Sequence, residues 1–225
     1  MAKPRSQSPQ GRRESSQARG ARTQTALLDA AEALILADGL DAASIGAIAS
    51  RAGCSVGTLY HHFKDKQALL YALFERIIDT YADAFRAAAA PDMWTGASVR
   101  DLVAGYIDFI LAMSARKANS PSVVALILAE HPDWRGRLTA MQAESRGRVV
   151  ELILARRDEI GRLDADGATR FVVDQLAAML AARSDPAQQD SAVSDLGDDG
   201  FRAEAVRLAE AYLQLKPAPT GPASP

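Results

Sequence analysis

Cysteine is almost missing from this chain: Cys54 stands alone among 225 residues. One thiol excludes an intramolecular disulfide framework and any multi-cysteine metal site. Beside the plain role of a small residue filling a turn, a lone thiol offers only a redox switch. Long hydrophobic runs are missing too, since no uncharged apolar stretch approaches the ~18–20 residues that a membrane span needs. The basic start is followed by Ser, Gln and Arg where a secretory signal has an apolar stretch, so a cytoplasmic protein is expected. No segment alternates with period 2, and no spacing repeats. Catalytic signatures are lacking as well: no glycine-rich phosphate loop, no nucleophile elbow, no helix with two histidines one turn apart. Only three histidines occur, and His131 lies far along the chain from His61 and His62, which argues against zinc. No enzyme, metal or cofactor is expected.

Charge of one sign is absent only on average. Lys and Arg number 26 against 28 Asp and Glu. Through Lys66 there are nine basic and six acidic residues, and after it seventeen basic and twenty-two acidic. A basic end on an acidic body predicts a polyanionic partner for the N-terminal part alone.

Hydrophobic residues make up 48% of the chain, and their spacing is helical nearly throughout. Residues 1–21 lack that period and are rich in Ser, Gln, Pro, Gly and Arg, which predicts a disordered basic arm. Residues 216–225 form a Pro/Ala tail. Between them the spacing predicts an all-α fold of about nine helices. The first ends at Gly39; Ser44 and Ser55 cap two short helices, and Asp65 caps a long one. Pro91 and Gly96 bracket a joint. Further helices are expected over 98–117, from Ser120-Pro121 to His131, over 133–160, over 166–183 and over 201–215, with an exposed loop at 184–200.

The stretch SIGAIASRAGCSVGTLYHH (44–62) reads as helix, turn, helix, with the turn at Gly53-Cys54-Ser55. Ile45, Ile48, Ala49, Cys54 and Leu59 face the first helix. The other face of the second helix offers Val56, Gly57, Thr58, Tyr60, His61 and His62, small and polar groups suited to a major groove. The longer stretch AIASRAGCSVGTLYHHFKDKQALL (47–70) resembles the DNA-binding signature of the tetracycline-repressor (TetR) family, with TLYHHFKDK its most specific part.

That resemblance implies a homodimer on a palindromic double-stranded DNA operator, usually a repressor released by a small molecule. It implies base or phosphate contacts for Thr58 and Tyr60, backbone contacts for His61 and His62, and phosphate contacts for Ser44, Ser55 and Lys66. Lys64 and Arg22 join this set as basic neighbours. Gly46 and Val56 depart from the polar readers that members often carry, which shifts weight to DNA shape. The resemblance divides the chain into a helix-turn-helix domain at 22–66 and a ligand-binding and dimerisation domain at 67–215, joined by a helix at 67–90.

In that second domain Trp94 and Trp134 stand as aromatics among aliphatic residues, and Tyr106, Phe109, Met113, Trp134, Met141, Arg148 and Phe171 are candidates to line a site for an apolar or amphipathic effector. An ion pair with Glu144 or Glu151 is the plainer role for Arg148. Phe171, Ala178, Ala181, Ala205, Leu208 and Tyr212 are candidates for a four-helix dimer interface. The rival functions are an architectural or protein-interaction DNA-binder without a ligand switch, and an activator.

Overall fold

A computed structural model describes residues 9–115, 122–183 and 191–216. Ten α-helices order the described residues: α1 (Pro9–Asp38), α2 (Ile45–Arg51), α3 (Val56–His62), α4 (Lys66–Ala88), α5 (Val99–Ala115), α6 (Val123–Glu130), α7 (Arg135–Leu154), α8 (Ala165–Arg183), α9 (Ala192–Asp195) and α10 (Asp198–Leu213). Short 3-10 segments cover Pro91–Trp94, Pro132–Trp134 and Arg157–Glu159. No strand appears among the described residues, only a single antiparallel bridge between Ile160 and Leu215. None of the described helices is long and apolar enough to cross a membrane.

The chain divides into two compact units, one running through Asp79 and taking in Ser120–Arg135, the other Thr80–Asn119 with the chain from Gly136 on. This division differs from the boundary expected at Lys66. The first fourteen residues of α4 belong with the head because their apolar face is sunk there: Leu69, Leu73, Phe74 and Ile78 are fully buried. Arg76 adds a two-pronged grip, donating to Asp29 at 2.6 Å and Glu32 at 2.7 Å on α1. The aromatic rings of Tyr71 and Phe74 also pack on Trp134, at 4.9 and 5.9 Å between centroids. Helix α6, buried through Val124, Ile127 and Leu128, packs on α1 within the same unit.

The second unit has its own core, in which Val103 and Ile107 of α5, Val149 and Ile153 of α7, Val172, Val173 and Leu176 of α8, and Phe201, Ala205 and Ala209 of α10 cluster. Helix α10 packs against both α5 and α8. Its far end is clasped: the Gly161 amide donates to the carbonyls of Leu213 and Gln214, and the Lys216 amide to Glu159 at 2.9 Å.

Several expected boundaries move. Residues 9–21 are helical and continue α1 where an irregular arm is expected; residues 1–8 lie outside the described residues. Gln, Arg, Glu and Ala are adequate helix formers without an apolar face, so a helix can run on from the anchored turn at Leu27 with no periodicity to betray it. Helix α6 opens behind Ser122, whose hydroxyl accepts from the Ala125 amide at 3.1 Å, and Ser120 and Pro121 lie outside the described residues. The span 133–160 is broken at both ends by 3-10 turns. Residues 184–190 of the expected loop lie outside the described residues; α9 falls within the remainder, and α10 starts at Asp198. Acidic Asp198 and Asp199 suit a helix's first turn. Lys216 belongs to the fold, not to the tail, and residues 217–225 lie outside the described residues.

Candidate nucleic-acid interface

The helix-turn-helix is built by two serine caps and one glycine. The Ser44 hydroxyl accepts from the Ala47 amide at 3.2 Å and opens α2. The helix closes when the Ala52 amide bonds to Ile48 and the Cys54 amide reaches back to Ala49 at 3.0 Å. Gly53 sits between them at φ +68°, a left-handed conformation that a side chain disfavours. Ser55 then opens α3, its hydroxyl 3.1 Å from the Thr58 amide and 2.9 Å from the Thr58 hydroxyl. Ile48, Ala49, Leu59 and Phe63 are buried and hold the corner. Cys54 is half-buried in the turn.

Leu59 is the one buried residue of α3. The rest of that short helix is outward: Val56 is 42% and Tyr60 52% exposed, Gly57 and His61 are exposed, Thr58 and His62 half-buried. The rings of His61 and His62 meet edge-on at 5.5 Å. Just beyond, Phe63 turns the chain and exposed Lys64 follows, while the Asp65 carboxylate caps α4 by accepting from Ala68 at 2.7 Å. The structure therefore brings Ser55, Val56, Gly57, Thr58, Tyr60, His61, His62 and Lys64 onto one short stretch of surface. Ser44 stands exposed at the start of α2 and Arg22 exposed on α1. Helix α1 comes close to α3 at Gly20, between Arg19 and Arg22, since a Cβ placed there would lie 3.9 Å from His62. Lys66 is different: its amine donates to the Leu40 carbonyl at 3.3 Å and is partly buried, so it serves the fold as well as any anion.

Chemically this surface is a set of hydrogen-bond donors, small side chains and cations with no carboxylate on α3. Serine hydroxyls that accept a helix amide still have a proton to donate. Such groups at two helix starts can donate to the oxygens of an anion, and the exposed face of α3 leaves its donors and acceptors free for a partner.

The residues proposed from sequence for an effector site scatter. Tyr106 and Phe109 line an apolar cavity of about 30 Å³ in the second unit, together with Phe85, Trp94, Leu102, Gly105, Val149 and Leu152. Phe85 meets Tyr106 and Phe109 edge-on at 6.3 and 5.3 Å. Burial pushes the Tyr106 hydroxyl up to about 12, the Arg146 charge opposing and Asp174 assisting. Met113, Met141, Arg148 and Phe171 are not among its walls. Trp134 belongs to the first unit, stacked on His131 at 4.2 Å, because α6 and its following turn fold onto the head. Arg148 makes the ion pair with Glu144, at 3.0 Å. Phe171 points outward, 49% exposed, against Tyr212.

Of the interface candidates, Phe171, Ala178, Ala181 and Leu208 are exposed and Tyr212 half-buried. Ala205 is wholly buried inside the unit, since α10 turns that side to α5 and α8. Sequence reasoning missed Phe85, Leu102, Gly105, Val149 and Leu152 as cavity walls; only Trp94 stood out, as one aromatic among aliphatics.

Comparison with known proteins finds likenesses over the helix-turn-helix and over most of the chain. The family model described as bacterial regulatory proteins, tetR family, matches residues 27–73. The HTH-type transcriptional repressor Rv1474c of Mycobacterium tuberculosis is 28% identical over 187 residues, 78% of this chain and 91% of that protein. The HTH-type transcriptional regulator BetI of Klebsiella pneumoniae is 33% identical over 144 residues, 63% of this chain and 72% of that protein. A crystal structure of a TetR-family transcriptional regulator from Mesorhizobium loti shares the fold, with TM-score 0.53 and 19% identity, over 86% of this chain and 97% of that one.

Proposed function

The chain belongs to the tetR family of bacterial regulatory proteins and is a DNA-binding transcriptional regulator rather than an enzyme; from that premise we propose that it is a homodimeric repressor, released from a palindromic operator by a small apolar or amphipathic effector. The observation that carries the reading is α3: one buried anchor, Leu59, and an outward face of small, polar and basic groups running into Lys64. In this reading Thr58 and Tyr60 meet base edges, and Ser44, Ser55, His61, His62, Lys64, Lys66 and Arg22 meet phosphates. Its place of work is the cytoplasm, where its operator lies.

Dimerisation is assigned to the outer stripe of α8 and α10. Phe171 and Leu208 are large, apolar and more than two-fifths exposed, and the Phe171 and Tyr212 rings lie 5.1 Å apart, so the stripe is continuous across both helices. Ala178 and Ala181 keep it low enough for a second copy to approach closely. Two heads held together act at high effective concentration on two half-sites. The effector enters the aromatic-walled cavity of the second unit, and it releases DNA only in so far as it prefers the conformer that binds DNA poorly.

The test is salt-dependent binding to a duplex selected from random sequence, read by fluorescence anisotropy. With three to five phosphate contacts per subunit, the log–log slope is expected near −5 to −9. A slope near zero overturns the interface. Ala178→Arg and Leu208→Arg should each give a helical monomer by light scattering that has lost selective binding, because an unpaired charge is buried against its symmetry mate. A variant that stays dimeric removes the interface from this stripe.

A further inference from the structure

The cavity proposed for the effector is nearly full. About 30 Å³ of space holds a water or two, far below the several hundred that an ordinary ligand site offers. One of its walls is the chain's own Trp94. A Cβ on Gly105 would lie 2.1 Å from Cη2 of the indole and 3.0 Å from two further ring atoms, so α5 carries a glycine where the ring presses on its backbone. The indole N–H donates to the Ala88 carbonyl at 2.8 Å. That carbonyl ends α4, and the last carbonyls of a helix have no partner of their own helix.

Trp94 sits on weak footing. It closes the 3-10 segment Pro91–Trp94, which buries none of its residues; Met93 beside it is 72% exposed. The backbone is the firm part, because the Arg156 guanidinium donates to the carbonyls of both Trp94 and Ala97. The ring can therefore leave by rotating about its own side-chain bonds while the loop stays clasped.

We propose that Trp94 is a built-in occupant of this site, and that its displacing ligand is a neutral planar aromatic with one N–H or O–H donor on its edge, of the indole or phenol class. The inference rests on the reading of this cavity as the effector site and specifies its chemistry. Phe85, Tyr106 and Phe109 supply aromatic edges and faces, Gly105 supplies room for a flat ring, and the Ala88 carbonyl supplies one acceptor. A ligand without a donor leaves that partly buried acceptor unpaired. A charged ligand finds no counter-charge among the lining residues.

Two measurements without DNA test the inference. In a Trp134→Phe background Trp94 is the sole tryptophan, and Gly105→Ala should drive its ring outward and shift its emission to the red; unchanged emission overturns the seating of the indole. Trp94→Ala, with helical content verified by circular dichroism, should bind indole at least tenfold more tightly than the parent chain by calorimetry, and benzofuran at least tenfold more weakly than indole. Equal affinity of the variant and the parent, or of indole and benzofuran, overturns the proposal. If Trp94→Ala does not fold, the Gly105→Ala emission decides. Release of DNA by indole is read separately by anisotropy: indole that binds Trp94→Ala as stated but releases no DNA refutes the effector reading and leaves the ligand chemistry standing.

Discussion

Helix α3 buries one residue of seven, Leu59, whereas α8 buries seven of nineteen, from Ala165 to Leu180. Both lie in compact units, yet their informative residues face opposite ways. On α3 the outward side chains are the ones proposed to meet DNA, and a hydroxyl, an imidazole and an amine are not interchangeable in that role. On α8 the inward side chains do the work, and Val, Ile and Leu exchange there at little cost provided that volume is kept. A surface that reads another molecule keeps its chemical identity in the sequence. A core keeps only a pattern.

The sharpest way to break this contrast is to empty each region of its anchor. Phe201 is fully buried under the Arg183 guanidinium, 4.8 Å from the ring, and Phe201→Ala should cost ~3–5 kcal/mol by urea denaturation. Leu59→Ala should cost ~2–5 kcal/mol and remove DNA binding as well, because the same side chain positions the whole outward face. If Leu59→Ala leaves DNA affinity intact, α3 is not the reading element.

A titration sharpens the same difference. Tyr106 is raised by burial from 10.0 to about 12. Its neutral form is favoured by the fold, so its contribution is whole below pH 10 and is lost as pH rises towards 12. Between pH 9 and 11.5 the loss amounts to about 2 kcal/mol, since each pH unit well between the two values carries ~1.4 kcal/mol. Urea midpoints compared at pH 9 and 11.5 should show this fall in the parent chain and a shallower one in Tyr106→Phe. An identical fall in both would place the hydroxyl in water.

Smaller still is Thr58→Ala, expected to alter the preferred half-site by ~1–3 kcal/mol at the base proposed to meet it while leaving thermal stability nearly unchanged. Selection from random duplexes reads it, and an unaltered consensus removes Thr58 from the readers. Smallest is Ser98→Ala, at about 1 kcal/mol. Ser98 and Asp101 cap α5 reciprocally: the Ser98 hydroxyl and amide donate to the Asp101 carboxylate at 2.7 and 2.9 Å, and the Asp101 amide returns to the hydroxyl at 3.2 Å. Those bonds, the hydroxyl first, hold the Asp101 carboxyl below its ordinary value of 3.8. The capping contribution therefore survives mild acid and disappears only as pH falls through that lowered value. A denaturation series from pH 6 to 2.5, which Ser98→Ala should flatten slightly, checks the sign.

How much was legible follows the same division. Ser44, Ser55 and Asp65 stand as caps where their residue types predict, and the bounds of α3 are those the sequence predicts. Short helices between strong punctuation leave little freedom. The extension of α1 back to Pro9 was hidden because helicity without an apolar face produces no period. The break in the expected helix at 133–160 was hidden for another reason: Arg156 leaves helical geometry and its side chain bonds to carbonyls some sixty residues away, a long-range event invisible to local pattern. The cavity illustrates both failures. Trp94 was visible as an aromatic, but Gly105 reads in sequence as a mere weak point in a helix, and nothing local says that an indole presses on it. Trp134 looked equivalent to Trp94 until folding placed the two in separate units.

The clasp at the end of α10 has a consequence of its own. A helix turns about 100° per residue, so its azimuth is undefined unless something indexes it. Gly161, pressed so near the Gln214 carbonyl that a Cβ there would stand 2.6 Å away, fits one register only, and Gln214 leaves the helix at φ +51° to meet it. The amides of Gly161 and Lys216 close the joint on either side. This joint is the indexing pin of α10. A slip of a single residue would swing Leu208 and Tyr212 through more than a quarter turn and bring charged Arg207 and exposed Ala211 to where they stand, so an event at Gly161, far along the chain, selects which side chains α10 shows to the outside.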